Sequence, residues 1–244
     1  MRPLIKSLSM YCLIMGLLVF NLVAVSNPVS IYIIYVIIIL AVIYLNSNIS
    51  WRGNVASGLL IGTSLIGIVF GIEILADWVK IEGFDLNLYL LSSYFILQII
   101  VALGEEISFR GYMLPNIISE TGTRAGIFLS SLMFSTIHIP SIIYYGLDTS
   151  RGIVAFSVIG LLGAIAAIIY LKYGLMSAVG FHFAWNFLQY NIFTLSDIHI
   201  GLIKSRYIEP SILTGGNYGP EAGILGLIVV FFAFGLLINK VPKS

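Results

Sequence analysis

The chain alternates long apolar runs with short polar or Gly/Pro breaks, and most runs approach the roughly 20 residues a helix needs to cross a bilayer. Eight runs qualify: 8–25, 29–46, 55–76, 87–108, 125–145, 152–171, 175–194 and 222–239. The fourth runs on toward Pro115. The third is bracketed by Trp51 and Trp78, aromatics suited to the two interfaces. It also carries two small-xxx-small patterns, GLLIG (58–62) and GIVFG (67–71), which allow close helix packing. The first run has a basic start and a small-residue exit, as a signal peptide does. Its apolar core is long and SIYIIYVIIILAVIYL follows almost at once, so it is read as a retained helix. No linker, low-complexity tract, soluble domain or clear repeat divides residues 1–244. The expectation is an all-α polytopic membrane protein of one domain, about eight transmembrane helices bundled around a polar cavity.

Composition agrees. Residues are 59% hydrophobic and 9% charged, with a mean hydropathy of +1.04, whereas soluble domains carry about a quarter charged residues. A net charge of +1 gives a nucleic-acid partner no electrostatic basis. The single cysteine, Cys12, reads as an apolar filler. With eight spans, Arg2, Lys6, Arg52, Arg110, Arg124, Lys172, Lys240 and Lys243 fall on the side of the termini, against Lys80, Arg151, Lys204 and Arg206 opposite. That asymmetry predicts both termini in the cytosol, at the cell membrane if the host is bacterial.

Against this background ALGEEISFRGYML is costly. An ionised side chain near the bilayer centre costs about 2.5–3.5 kcal/mol on the mildest scale, so Glu105, Glu106 and Arg110 must face the bundle interior. Glu106 and Arg110 are i and i+4 and can pair; Glu105 points about 100° away and has Phe109 at its i+4 position. One acid is answered within its own helix and one is left over. The candidates to work with it are His138 in FSTIHIP, and His182 with Asn186 four residues on in GFHFAWNF; His199 lies in a polar loop and reads as solvated. At 1.5 Å per residue, Glu105 and His182 both fall in the half of the membrane nearer the termini. His138, counted from Arg124, comes out about 21 Å from that face, higher than a common site needs unless the fifth helix starts deeper or tilts. Phe109, Phe134 and Trp185 read as packing. Glu73 reads as snorkelling to the interface, and Glu221 as a helix-start acid favoured by the dipole.

A carboxylate sheltered from water, beside a second acid, becomes a useful base near neutral pH. Glu105 with His138 could hold and deprotonate a water. His182 and Asn186 present two N–H donors on one helix face, suited to the oxyanion of a tetrahedral intermediate. That combination describes amide hydrolysis without a covalent nucleophile. A zinc version, with Glu105, His138 and His182 as ligands and the other Glu as base, is also coherent. The metal-free version is preferred, because Arg110 neutralises one Glu and the helical H-E-x-x-H signature is absent.

The three motifs E-E-x-x-x-R, F-x-x-x-H and H-x-x-x-N, in that order on separate spans within a core of 103–190, resemble the CPBP family of intramembrane proteases. That family includes the CAAX prenyl endopeptidases and the bacteriocin-processing and immunity proteins. The flank RGYMLPNI strengthens the likeness, and GNYGPEAGILG resembles the start of the family's last helix. The resemblance implies that Glu105 and His138 activate water, that Glu106 and Arg110 support the site, and that His182 and Asn186 stabilise the oxyanion. It implies a peptide or lipid-modified protein substrate met among membrane lipids. It leaves open a metallo or glutamate type, a prenylated or plain peptide substrate, and precursor maturation or bacteriocin immunity. Two rival functions use the same buried cluster: a proton- or ion-coupled carrier, and a non-catalytic membrane partner.

Overall fold

The computed structural model describes residues 2–25, 28–46, 49–196, 201–208, 211–239 and 241. His199, and Lys240 and Lys243 of the charge count, lie outside them. The chain forms helices α1 (Pro3–Phe20), α2 (Pro28–Leu45) and α3 (Val55–Leu75), strand β1 (Val79–Phe84), then α4 (Leu88–Glu106). A π-helical stretch, Ile107–Met113, carries α4 directly into α5 (Leu114–Thr121). There follow α6 (Thr123–Thr136), α7 (Ile139–Tyr144), α8 (Thr149–Tyr173) and α9 (Leu175–Phe187), the last extended by a π-helical stretch, Leu188–Ile192. Strand β2 (Ile203–Tyr207), the single turn α10 (Ser211–Thr214) and α11 (Ile224–Ile238) complete the described chain.

All eight apolar runs are helical, and polar caps mark several breaks. Asn54 accepts from the Ala56 N–H, Asn87 from Leu90 and Asp148 from Arg151, each satisfying a donor that a helix start leaves unpaired. Among the described residues five segments are long and apolar enough to cross a membrane: Pro3–Val23, Val55–Leu75, Leu88–Thr121, Thr123–Tyr144 and Thr149–Tyr173. Ser30–Leu45 and Ile224–Ile238 are apolar but shorter. The protein is therefore an all-α polytopic membrane protein. A two-stranded antiparallel ribbon, β1 with β2, was not expected. It pairs Val79 with Tyr207 and Lys80 with Arg206, and Arg206 reaches Glu82 across it.

The fourth and fifth runs differ from expectation in a way that matters for the site. The fourth continues past 108 to Thr121 before the chain reverses at Gly122, φ 79°. The fifth is broken: α6 stops at Thr136 and α7 starts at Ile139, with His138 in the turn between. Pro140 explains the break, since it has no N–H for the helix ladder and its ring would strike the carbonyl four residues back. In the resulting hairpin Glu105 lies sixteen residues before Thr121, and His138 fifteen after Thr123. At 1.5 Å per residue these are heights of about 24 and 22 Å above the reversal. The apparent mismatch in depth came from ending the fourth helix too early.

Helix α9 is held by α3. A Cβ on Gly58 would run into the Ser177 carbonyl, one on Gly62 into the Phe181 carbonyl, and one on Gly180 into the Val55 carbonyl. The first small-xxx-small pattern is thus a backbone-to-backbone contact. The second, Gly67 and Gly71, faces open space. Helix α8 is the most enclosed span, with 56% of its central window buried, consistent with residues that are apolar or small all round. Glu73 does not snorkel. It is 0% exposed and neither carboxylate oxygen has a hydrogen-bond partner among the described residues. Its end of α3 is covered by the chain around Phe193, whose ring stacks on Phe70 at 4.3 Å.

Lengthening Gly58 to Leu should push α3 off α9 and lower the unfolding temperature in detergent, with a cost of about 1–3 kcal/mol or more. Gly67→Ala and Gly71→Ala, which meet nothing and favour the helix, should leave that temperature unchanged or raise it.

Candidate active site

The site assembles where α4, α6, α8 and α9 meet. A cavity of about 150 Å³ is lined by Glu105, Glu106 and Arg110, by Phe134 and His138, and by His182 and Asn186. The residues singled out in the sequence on three separate helices therefore face one space. A second cavity, of about 180 Å³, lies between α1, α2 and the α6–α7 break, and shares Glu105 and His138 with the first. These two side chains stand in the wall between the cavities.

Arg110 is the most demanding member. It is 0% exposed, and its guanidinium donates to Glu106 Oε1 at 3.1 Å and to the Gly163 carbonyl at 2.8 Å. It also lies 4.5 Å from the Phe134 ring centre and 5.8 Å from that of Phe109. The absence of a side chain at Gly163 leaves room for it, since a Cβ there would sit 3.3 Å from its terminal nitrogen. The i, i+4 pairing of Glu106 with Arg110 is thus present.

His182 is placed differently from expectation. Its Nδ1 lies 2.9 Å from Glu106 Oε1 and its Nε2 3.7 Å from Glu105 Oε2, so the imidazole bridges the two acids. Asn186, one turn along α9, borders the same cavity. Glu105 is 5% exposed and accepts a hydrogen bond from the Tyr35 hydroxyl on Oε1, while Oε2 has no hydrogen-bond partner among the described residues. His138 takes its orientation from the break before α7. Its amide donates to Ser135 rather than up the ladder, and its ring Nδ1 meets the Phe134 carbonyl at 2.8 Å. That contact sets the tautomer with Nδ1–H as donor and turns Nε2 away as an acceptor.

Three contributors were not read from the sequence as site residues. Tyr35 lies in an all-apolar run on α2, and only Gly104, which leaves space for its ring against α4, hints at it. Phe134, read as packing, contacts Arg110 and both imidazoles, with ring centres 5.0 Å from His138 and 6.1 Å from His182. Glu221, read as a helix-start acid, is 5% exposed and turned into the cavity, where it accepts from Trp185 Nε1 at 3.0 Å and from Gln189. Two of the three π-helical stretches among the described residues follow directly on Glu106 and just beyond Asn186, the position such irregularities commonly take beside functional groups; the third is Asn21–Val25. Among the described residues no three His, Cys, Asp or Glu side chains gather as a metal ion requires. His182 directs its two nitrogens at two different carboxylates.

Residues 87–188 match the family model described as type II CAAX prenyl endopeptidase Rce1-like. No curated protein and no solved structure matches the chain. The matched segment, under half of the chain, holds every residue of the three motifs and bears out the resemblance they carry to CAAX-type membrane proteases. Tyr35 and Glu221 lie outside that segment.

Replacing Arg110 by Met should destabilise the protein by about 3–5 kcal/mol, because the buried Glu106 would lose its guanidinium and keep only the His182 imidazole. Adding Glu106→Gln to that variant should recover much of the loss. Tyr35→Phe should cost only about 1 kcal/mol. Unfolding in mixed detergent micelles measures all three.

Proposed function

We propose that the protein is an intramembrane endopeptidase that hydrolyses a peptide bond in a membrane-associated peptide or lipid-modified protein, using a water activated by Glu105. The observation that carries this reading is Oε2 of Glu105, without a hydrogen-bond partner among the described residues, buried between two cavities with His182 Nε2 3.7 Å away and accompanied by the acceptor nitrogen of His138. One cavity can take the peptide while the other supplies water.

In this reading water donates hydrogen bonds to Glu105 and to His138 Nε2. As its oxygen bonds to the scissile carbonyl carbon, Glu105 takes its proton. The carbonyl oxygen becomes an oxyanion, stabilised by N–H groups of His182 and Asn186. Glu105 then returns the proton to the amide nitrogen as the C–N bond breaks, so one water is consumed and an acid and an amine leave. Glu106, held by Arg110, fixes the His182 ring by accepting from Nδ1–H, so His182 donates to the oxyanion through Nε2–H as the imidazolium. Tyr35 orients Glu105 through its other oxygen. No step in this scheme requires a metal. Both termini facing the cytosol completes the reading, on the positive-inside asymmetry.

The purified full chain in liposomes, offered a membrane-anchored peptide, should cleave it, and Glu105→Ala should abolish cleavage. Asn186→Ala should lower kcat about 10²–10³-fold, the usual loss of one oxyanion donor. A strong chelator should leave the rate unchanged; loss restored by zinc would overturn the metal-free mechanism. Equal product from wild type and Glu105→Ala would remove the peptidase reading.

A further inference from the structure

The end of the main cavity away from Glu106 and Arg110 is built around a carboxylate that the hydrolytic scheme does not use. Two backbone reversals, at Gly215 and Gly219 (φ 87° and 97°), fold TGGNYGPEAG back under the start of α11. The fold is tight, since a Cβ on Gly219 would strike the Leu195 carbonyl. Its product is the short turn Pro220–Ala222, which turns Glu221 inward. There the carboxylate receives three donors, all from α9 and its π-helical extension: Trp185, Gln189 and Tyr190. Burial raises the pKa of this carboxyl, and the donors only partly offset that. Yet among the described residues no Lys, Arg or His forms an ion pair with Glu221; the cavity's guanidinium is taken by Glu106. A buried, hydrogen-bonded carboxyl that opens on a cavity and has no counter-charge among the described residues is suited to a cation, whose arrival would favour the ionised form.

We propose that Glu221 forms a cation-binding subsite of the cavity, which takes an ammonium or guanidinium group carried by the peptide to be cleaved. The substrate assignment rests on the peptidase reading; the cation site itself does not. Gln189 lies seven residues beyond His182 along the helix, about 10 Å at 1.5 Å per residue. Three residues of extended peptide span about the same distance. The basic residue therefore belongs within three positions of the scissile bond. Trp185, between the two poles, reports on the subsite because its indole N–H is bonded to Glu221.

Two measurements on the full chain test this. With Trp51→Phe and Trp78→Phe leaving Trp185 as the sole indole, butylammonium should change the emission saturably where butanol does not, and Glu221→Gln should abolish that response. Equal responses to the two probes, or a response that survives Glu221→Gln in protein still eluting as a single species, overturns the subsite whether or not peptides are cleaved. In cleavage assays a Lys within three positions of the bond should raise kcat/KM at least about ten-fold over Gln at the same position, and Glu221→Gln should bring the ratio close to one. A ratio near one in the wild type overturns the substrate assignment. Absence of cleavage altogether, with the butylammonium response intact, removes the peptidase reading and leaves the cation site standing.

Discussion

The burial of the Arg110 guanidinium is the constraint from which the site's architecture follows. A charge of that kind inside a helix bundle persists only if its donors and its field are answered on every side. Glu106 answers from one turn up the same helix, the Gly163 carbonyl from α8, and the rings of Phe109 and Phe134 lie close by. Two of these partners do a second task. Glu106 accepts from His182 and so ties α9 to α4. Phe134 carries the carbonyl that orients His138. A single ion pair thus sets the mutual positions of three helices and both site histidines.

With Glu106 engaged, Glu105 is available. Its two oxygens meet different surroundings, one fixed by Tyr35 and the other opening between two cavities. Neighbouring carboxyl groups of like chemistry acquire different tasks when their surroundings differ this much. The long fourth helix contributes in another way. Its continuation to Thr121 lowers the reversal, so that the return helix brings His138 to the height of Glu105. Pro140 then stops the helix at the point where the imidazole is needed, and the carbonyl freed by the stop holds it.

Much of this was legible in the amino-acid order. Apolar run length forecast the helices, because in hydrocarbon every backbone polar group must be satisfied within its own segment. The i, i+4 spacing forecast the Glu106–Arg110 pair, because neighbours on one helix turn meet whatever surrounds them. The Gly58–Gly62 pattern forecast a close crossing, while the same pattern at Gly67 and Gly71 met no partner. Pattern alone does not tell a used interface from an unused one. Tyr35 and Glu105 are separated by seventy positions, so their bond has no local trace. Glu73 and Glu221 were both misread for one reason: their exposure depends on which distant segment lies over them. The β1–β2 ribbon joins strands separated by more than a hundred residues, and each strand by itself looks like a loop.

The sequence by itself determined the membrane-spanning class, the helical segments, the pairing of Glu106 with Arg110 and the set of acids, imidazoles and carboxamide available for chemistry. All of these depend on composition or on spacings within one helix, where covalent geometry dictates who meets whom. The tertiary structure alone decided that His182 bridges two carboxylates, that Tyr35 commits one oxygen of Glu105, and that Glu221 turns into the cavity with no ion-pair partner among the described residues. Those outcomes depend on contacts between helices far apart in the chain, whose register is set by where a glycine lets two backbones touch and where a proline ends a helix.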